Sequence, residues 1–169
     1  MKSRVILALL AMLLFSTCIH GQGKLPGGHR YIYCNVYLDD VCFGVAAGET
    51  VVMTNAGDYT VYRVELSGGR KVDIYAGYNP SADVVEKVDA QACPGKISGE
   101  CSYKIANEGS DILYRRSRES RYIHIHIHGR ADVATFDFIR NFRACKSDDG
   151  GLRCENESIF DGLPLANVK

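Results

Sequence analysis

The residues best placed to do chemistry lie in one stretch, Tyr122 to His128, which reads YIHIHIH. Strict alternation over seven residues is the period of a strand with two unlike faces. Ile123, Ile125 and Ile127 then point one way, and His124, His126 and His128 point the other. An imidazole can ligate a metal, move a proton, or present a polar aromatic surface that gains charge below about pH 6.5. Adjacent members such as His124 and His126 have Cα atoms about 6.6 Å apart, close enough for both rings to reach one zinc ion. His124 and His128 stand about 13 Å apart and do not easily share it. A zinc centre on His124 and His126 therefore needs a third ligand from a neighbouring strand, for which Asp73, Glu65 and His29 qualify. Without such a ligand the ladder is a semi-exposed polar face, with Tyr122 beside it. Arg115, Arg116 and Arg118 belong to the basic run RRSRESR (115–121) just before the ladder. They suit the grip of a phosphate, a carboxylate or an acidic partner, and equally suit a solvated loop.

Other chemistries lack their residues. There is no G-x-S-x-G turn, and no cysteine is left over to act as a nucleophile once the six that follow the leader are paired. Gly129-Arg130-Ala131 follows the ladder where a cupin-like site would need a glutamate. The acidic pairs Asp39-Asp40 and Asp148-Asp149 fall in turns, where hydrogen bonding and solvation explain them. The sequon Asn156-Glu157-Ser158 matters only in a source that glycosylates exported proteins. The motifs carry no resemblance to a known family.

The ladder needs something to cover its isoleucine side. After Gly129 the period changes, and Asp132 to Ala144 reads as a helix with Asp132 as N-cap. Ala134, Phe136, Phe138, Ile139 and Phe142 share one arc, with Asp137, Arg140 and Asn141 opposite. Pressing that arc onto the isoleucines makes Phe136 and Ile139 core and leaves Asn141 solvated. Further strands are legible upstream. Arg30–Leu38 and Val41–Val45 flank the Asp39-Asp40 turn, and Thr50–Thr54 is a third apolar run. Tyr59–Leu66 and Lys71–Ala76 form a hairpin closed by Ser67-Gly68-Gly69. Ser81–Val88 suits one or two helical turns, and Ala90–Cys101 a loop. Cys101–Ala106 and Asp111–Arg115 are strands on either side of a turn, and Lys146–Arg153 is another turn. The tail, Glu155–Lys169, carries Ile159, Phe160, Leu163 and Leu165 for docking. The fold class is α+β: a mainly antiparallel sheet of hairpins, one face covered by the late helix.

The 169-residue chain opens with a basic start, the apolar run Val5 to Phe15 and a small polar stretch. This is the pattern of a secretory signal peptide over residues 1–21, too short to span a bilayer. Cys18 offers an alternative, an imperfect lipoprotein box with cleavage before it and a lipid anchor on it. Residues 22–169 then form a single domain with 18 basic and 20 acidic side chains, a balance that calls for neither nucleic acid nor an anionic membrane. No other stretch could span a membrane. Six cysteines cluster as Cys34 with Cys42, Cys93 with Cys101, and Cys145 with Cys154, which favours three local disulfides in an oxidising compartment. Together these features describe an exported protein, periplasmic or secreted, whose partner is another protein. The reading they favour is an inhibitor or immunity-type protein that neutralises a toxin or secreted enzyme, without catalysis or cofactor. A metal-binding protein or metal-dependent enzyme with zinc on the ladder is the alternative, and a structural or adhesive surface component is the second.

Overall fold

The computed structural model describes residues 34–79, 91–94, 97, 99–149 and 151–163, and these described residues form two antiparallel sheets and one short helix. The signal segment, Cys18, His29, the turns expected over 81–88 and Leu165 lie outside these residues. The strands are β1 (Val36–Leu38), β2 (Val41–Phe43), β3 (Thr50–Asn55), β4 (Tyr59–Leu66), β5 (Arg70–Gly77), β6 (Gln91–Ala92), β7 (Glu100–Ile105), β8 (Gly109–Arg115), β9 (Tyr122–His128), β10 (Arg143–Asp148) and β11 (Gly151–Ser158). The helix α1 is Val133–Ile139. Seven strands form the larger sheet in the order β3-β4-β5-β9-β8-β7-β6, and the smaller sheet runs β1-β2-β10-β11.

The ladder strand β9 is central, paired antiparallel with β5 on one side and β8 on the other. Its isoleucines are buried, Ile125 and Ile127 completely. Strict alternation continues across its neighbours. Tyr62, Val64 and Leu66 of β4, Val72, Ile74 and Ala76 of β5, and Ile112 and Tyr114 of β8 line the same inner face. That shared face is why the pairing holds its register, since a one-residue slip would turn every inward side chain to solvent.

Helix and small sheet together cover this face. Phe136, Phe138 and Ile139 of α1 join Phe43 of β2, Phe142 and Phe160 in one cluster with the isoleucines. Phe43 stacks on Phe142 with centroids 5.0 Å apart and meets Tyr62 of the large sheet edge-on. Asp132 caps the helix as its sequence position suggests, accepting from the Thr135 amide while the Thr135 hydroxyl accepts from the Asp132 amide. Arg70, at the start of β5, ion-pairs with the same Asp132 and so ties the helix start to the large sheet.

The helix is shorter than its periodicity implies. It stops at Ile139 rather than Ala144, and Arg143 onward joins β10. Strand pairing with β2 and β11 and the Cys145–Cys154 bridge satisfy that backbone instead. Phe142 and Ala144 are both buried and lie two residues apart, a spacing that puts them on one face of an extended chain but on opposite sides of a helix. Lys146–Arg153, expected as a turn, is accordingly the hairpin joining β10 to β11. Asn141 is also corrected: it is 5% exposed and its amide donates to the Gly44 carbonyl at 3.0 Å. Asn141→Ala should therefore destabilise by about 1–3 kcal/mol, because it strands a buried acceptor. Urea unfolding of the two proteins measures it, and equal midpoints would place Asn141 back in solvent.

The three local disulfides are present as Cys34–Cys42, Cys93–Cys101 and Cys145–Cys154. In the tail Ile159, Phe160 and Leu163 are buried, and the Phe160 ring lies edge-on to Tyr114 of β8. No helix among the described residues is long and apolar enough to cross a membrane.

Candidate functional site

The outer face of the seven-stranded sheet gathers the ladder with residues from four other strands. Register decides its members. His126 lies between Asp73 of β5 and Asp111 of β8, and His124 lies between Tyr75 and Leu113. The row through His126 continues to Arg63 on β4 and Lys104 on β7. Tyr75 leans back over Gly77 to stack on Tyr59, with centroids 5.5 Å apart. A Cβ at Gly77 would collide with the Tyr75 hydroxyl, so this aromatic pair needs glycine there. Gly109 does the same for the ladder, since a Cβ on it would come within 3.0 Å of the His126 ring.

Asp111 is the hub. Its Oδ1 is 2.9 Å from His124 Nε2 and 2.8 Å from His126 Nδ1. Its carboxyl is held below the ordinary carboxylate range, chiefly by the hydrogen bond from His124, with the bond from His126 adding to it and partial burial opposing. An ionised carboxylate only accepts, so the nitrogens of His124 and His126 that face it carry their protons. His128 turns the other way, with Nε2 3.0 Å from Asp73 Oδ2. Its ring meets that of His126 edge-on at 4.7 Å. Asp73 in turn lies 3.9 Å from the exposed guanidinium of Arg63.

The acid behaviour of Asp111 has a definite sign. A carboxyl whose folded pKa is depressed adds stability above its unfolded value, near 3.8, and loses it as pH falls through the lower folded value. Asp111→Asn should therefore be less stable than the native protein at neutral pH, and the gap should close in strong acid. Urea midpoints across an acid series test this, and a gap that stays constant down to the lowest pH would remove the account.

Three arginines of the basic run, Arg115, Arg116 and Arg121, find partners within the fold. Arg115 ends β8, bonds Glu100 at 2.6 Å and stacks its guanidinium 4.5 Å over the Tyr122 ring. Arg116 reaches the Cys145 carbonyl and lies 3.9 Å from Asp40. Arg121 is 3.3 Å from Asp39. The Asp39-Asp40 turn and the 116–121 loop thus neutralise one another and join the two sheets. Arg118 is exposed.

Of the third ligands considered, Asp73 is adjacent to the ladder but holds His128, and Glu65 lies two strands away, opposite Lys71. Asp111, absent from the sequence-based candidates, is the carboxylate that joins His124 to His126. The signal that could have found it is its place in a short alternating run (GSDILYR) with the ladder's own period, which suits it to pairing beside β9. Among the described residues, the three potential metal donors that converge within 4.8 Å are Cys34, Cys42 and Cys154, all in disulfides. No protein-family model, curated protein or solved structure matches the chain.

Proposed function

We propose that the protein is an exported protein-binding domain, of the inhibitor or immunity type that neutralises a toxin or secreted enzyme. Its docking surface is the outer face around His124, His126, His128, Tyr75 and Tyr122. One observation carries the reading: this face is ordered before any partner arrives. His124 and His126 are held by Asp111, His128 by Asp73, Tyr122 by Arg115, and Tyr75 by Tyr59. Side chains already fixed lose little freedom on binding, and that loss otherwise costs about 0.5–1.5 kcal/mol for each one immobilised at an interface. Tyrosines with satisfied polar neighbours are also the composition of protein-recognition surfaces. The disulfides are compatible with an oxidising compartment, and the periplasm or the exterior is where such a protein would meet its target.

The zinc reading makes different use of the same residues. His124, His126 and Asp111 would be the ligands, although the ring nitrogens nearest Asp111 are engaged in hydrogen bonds to it and the lone pair of each neutral ring lies on the opposite nitrogen. An ion there would have to displace both hydrogen bonds and draw the rings together. The two readings separate in one set of measurements. Immobilised protein is used to recover a partner from envelope or culture extract, and the recovered protein's activity is assayed with and without added domain. Inhibition, lost when His124, His126 and His128 are all replaced by glutamine without a large fall in melting temperature, supports the proposal. About one tightly held zinc per chain, with a melting temperature that falls on chelation, would overturn it.

A further inference from the structure

At one end of the seven-stranded sheet, β3 has a partner only on its β4 side among the described residues. All six of its residues are exposed, Val52 and Met53 at 60% each. Strands at sheet edges are ordinarily guarded by charge, proline, a bulge or shortness, because a row of unpaired N–H and C=O groups invites another strand. This one reads TVVMTN (50–55), with neither charge nor proline, and pairs with β4 over six consecutive positions without a register shift.

Which groups point outward follows from the hairpin. The Ala56 amide donates to the Tyr59 carbonyl at 3.0 Å, so this pair is hydrogen-bonded. Antiparallel pairs alternate between bonded and non-bonded. Thr54, Val52 and Thr50 therefore bond to β4, while Val51, Met53 and Asn55 turn their backbone groups to the open edge. The sequence of that edge is close to a palindrome. About a twofold axis at Val52, Thr50 faces Thr54, Val51 faces Met53 and Val52 faces its own copy, with every pair chemically alike. The outward groups of Val51 and Met53 then meet as hydrogen-bonded pairs. A charged residue near such an axis would oppose itself, and residues 50–57 carry none. Inside the sheet, the exposed Val51 and Met53 would each gain an apolar neighbour on the core side, where Met53 stands opposite Tyr62.

We infer that β3 is a self-association edge, pairing antiparallel with β3 of a second copy of this chain to continue the sheet from one molecule into the next. Val52 continues the row that runs from His126 through Asp73 and Arg63, but the pairing uses the open backbone edge of β3 and does not depend on the role of the histidines. The mature chain is examined by sedimentation from about 1 µM to about 1 mM, the range in which a six-residue strand contact would act. Amide hydrogen exchange is followed over the same series. A monomer–dimer equilibrium is expected, with the Val51 and Met53 amides gaining protection as concentration rises. The Val52 and Thr54 amides, bonded to β4, should be protected throughout. Val52→Lys places two like charges on the axis at an exposed position and should leave a folded monomer, whereas Val52→Thr should still dimerise. A monomer at every concentration, a dimer that Val52→Lys leaves intact, or protection that appears elsewhere would each overturn the inference.

Discussion

Replacing Phe142 by alanine should lower the free energy of unfolding by about 3–5 kcal/mol, the usual cost of emptying a phenylalanine site in a packed core. The ring is completely buried. It stacks on Phe43 and lies 5.7 Å, centroid to centroid, from both Phe138 and Phe160. Those neighbours belong to β2, to α1 and to the tail, so the void would open where three segments converge and none could move in without leaving its own contacts. Since small domains are stable by only about 5–15 kcal/mol, the variant should be close to unfolding at body temperature. Urea denaturation gives the number. A loss under about 1 kcal/mol would mean that the tail and small sheet do not close over this ring.

The second large effect is expected at the bridge in the small sheet. Cys145 and Cys154 are direct cross-strand partners in the β10–β11 hairpin, nine residues apart. Changing both to alanine frees the unfolded hairpin, for which loop-closure entropy gives about 2.5 kcal/mol, with about 2–5 kcal/mol usual for small secreted domains. Cys145 is also wholly buried, beside the backbone that Arg116 holds. The loss should therefore weaken the junction between the sheets as well as the hairpin. A fall in melting temperature of roughly 5–15 °C is expected, at about 2–4 °C per kcal/mol for a chain of this size. An unchanged melting temperature, or a free thiol at either position in the native protein, would contradict it.

The two variants probe different kinds of information in the chain. The Cys145–Cys154 pair could be read from spacing, because cysteines nine residues apart around a turn have few nearer partners. Phe142 could be read as core, but not as the residue that follows a helix rather than one within it.

By itself the sequence determined whatever depends on local period and short loops. YIHIHIH had to be a strand with an isoleucine face and a histidine face, because alternation has no helical equivalent. The 59–76 hairpin followed from two alternating runs around Ser67-Gly68-Gly69, and the Asp132 cap from a side chain that reaches its own first turn. Tertiary structure decided everything that needed one segment to know another's position. Asp111 joins His124 to His126 only because β8 pairs with β9 in one register, and a shift of one residue would have put Ser110 or Ile112 on the histidine face. Asn141 is buried because Gly44, far away in the chain, offers a carbonyl where the helix ends. Arg115, Arg116 and Arg121 look like a free basic cluster until Glu100, Asp40 and Asp39 are brought beside them. The division into two sheets arose in the same way, since Arg143–Asp148 satisfies its backbone on β2 and β11, and that pairing outweighs a helical preference worth only tenths of a kcal/mol per residue.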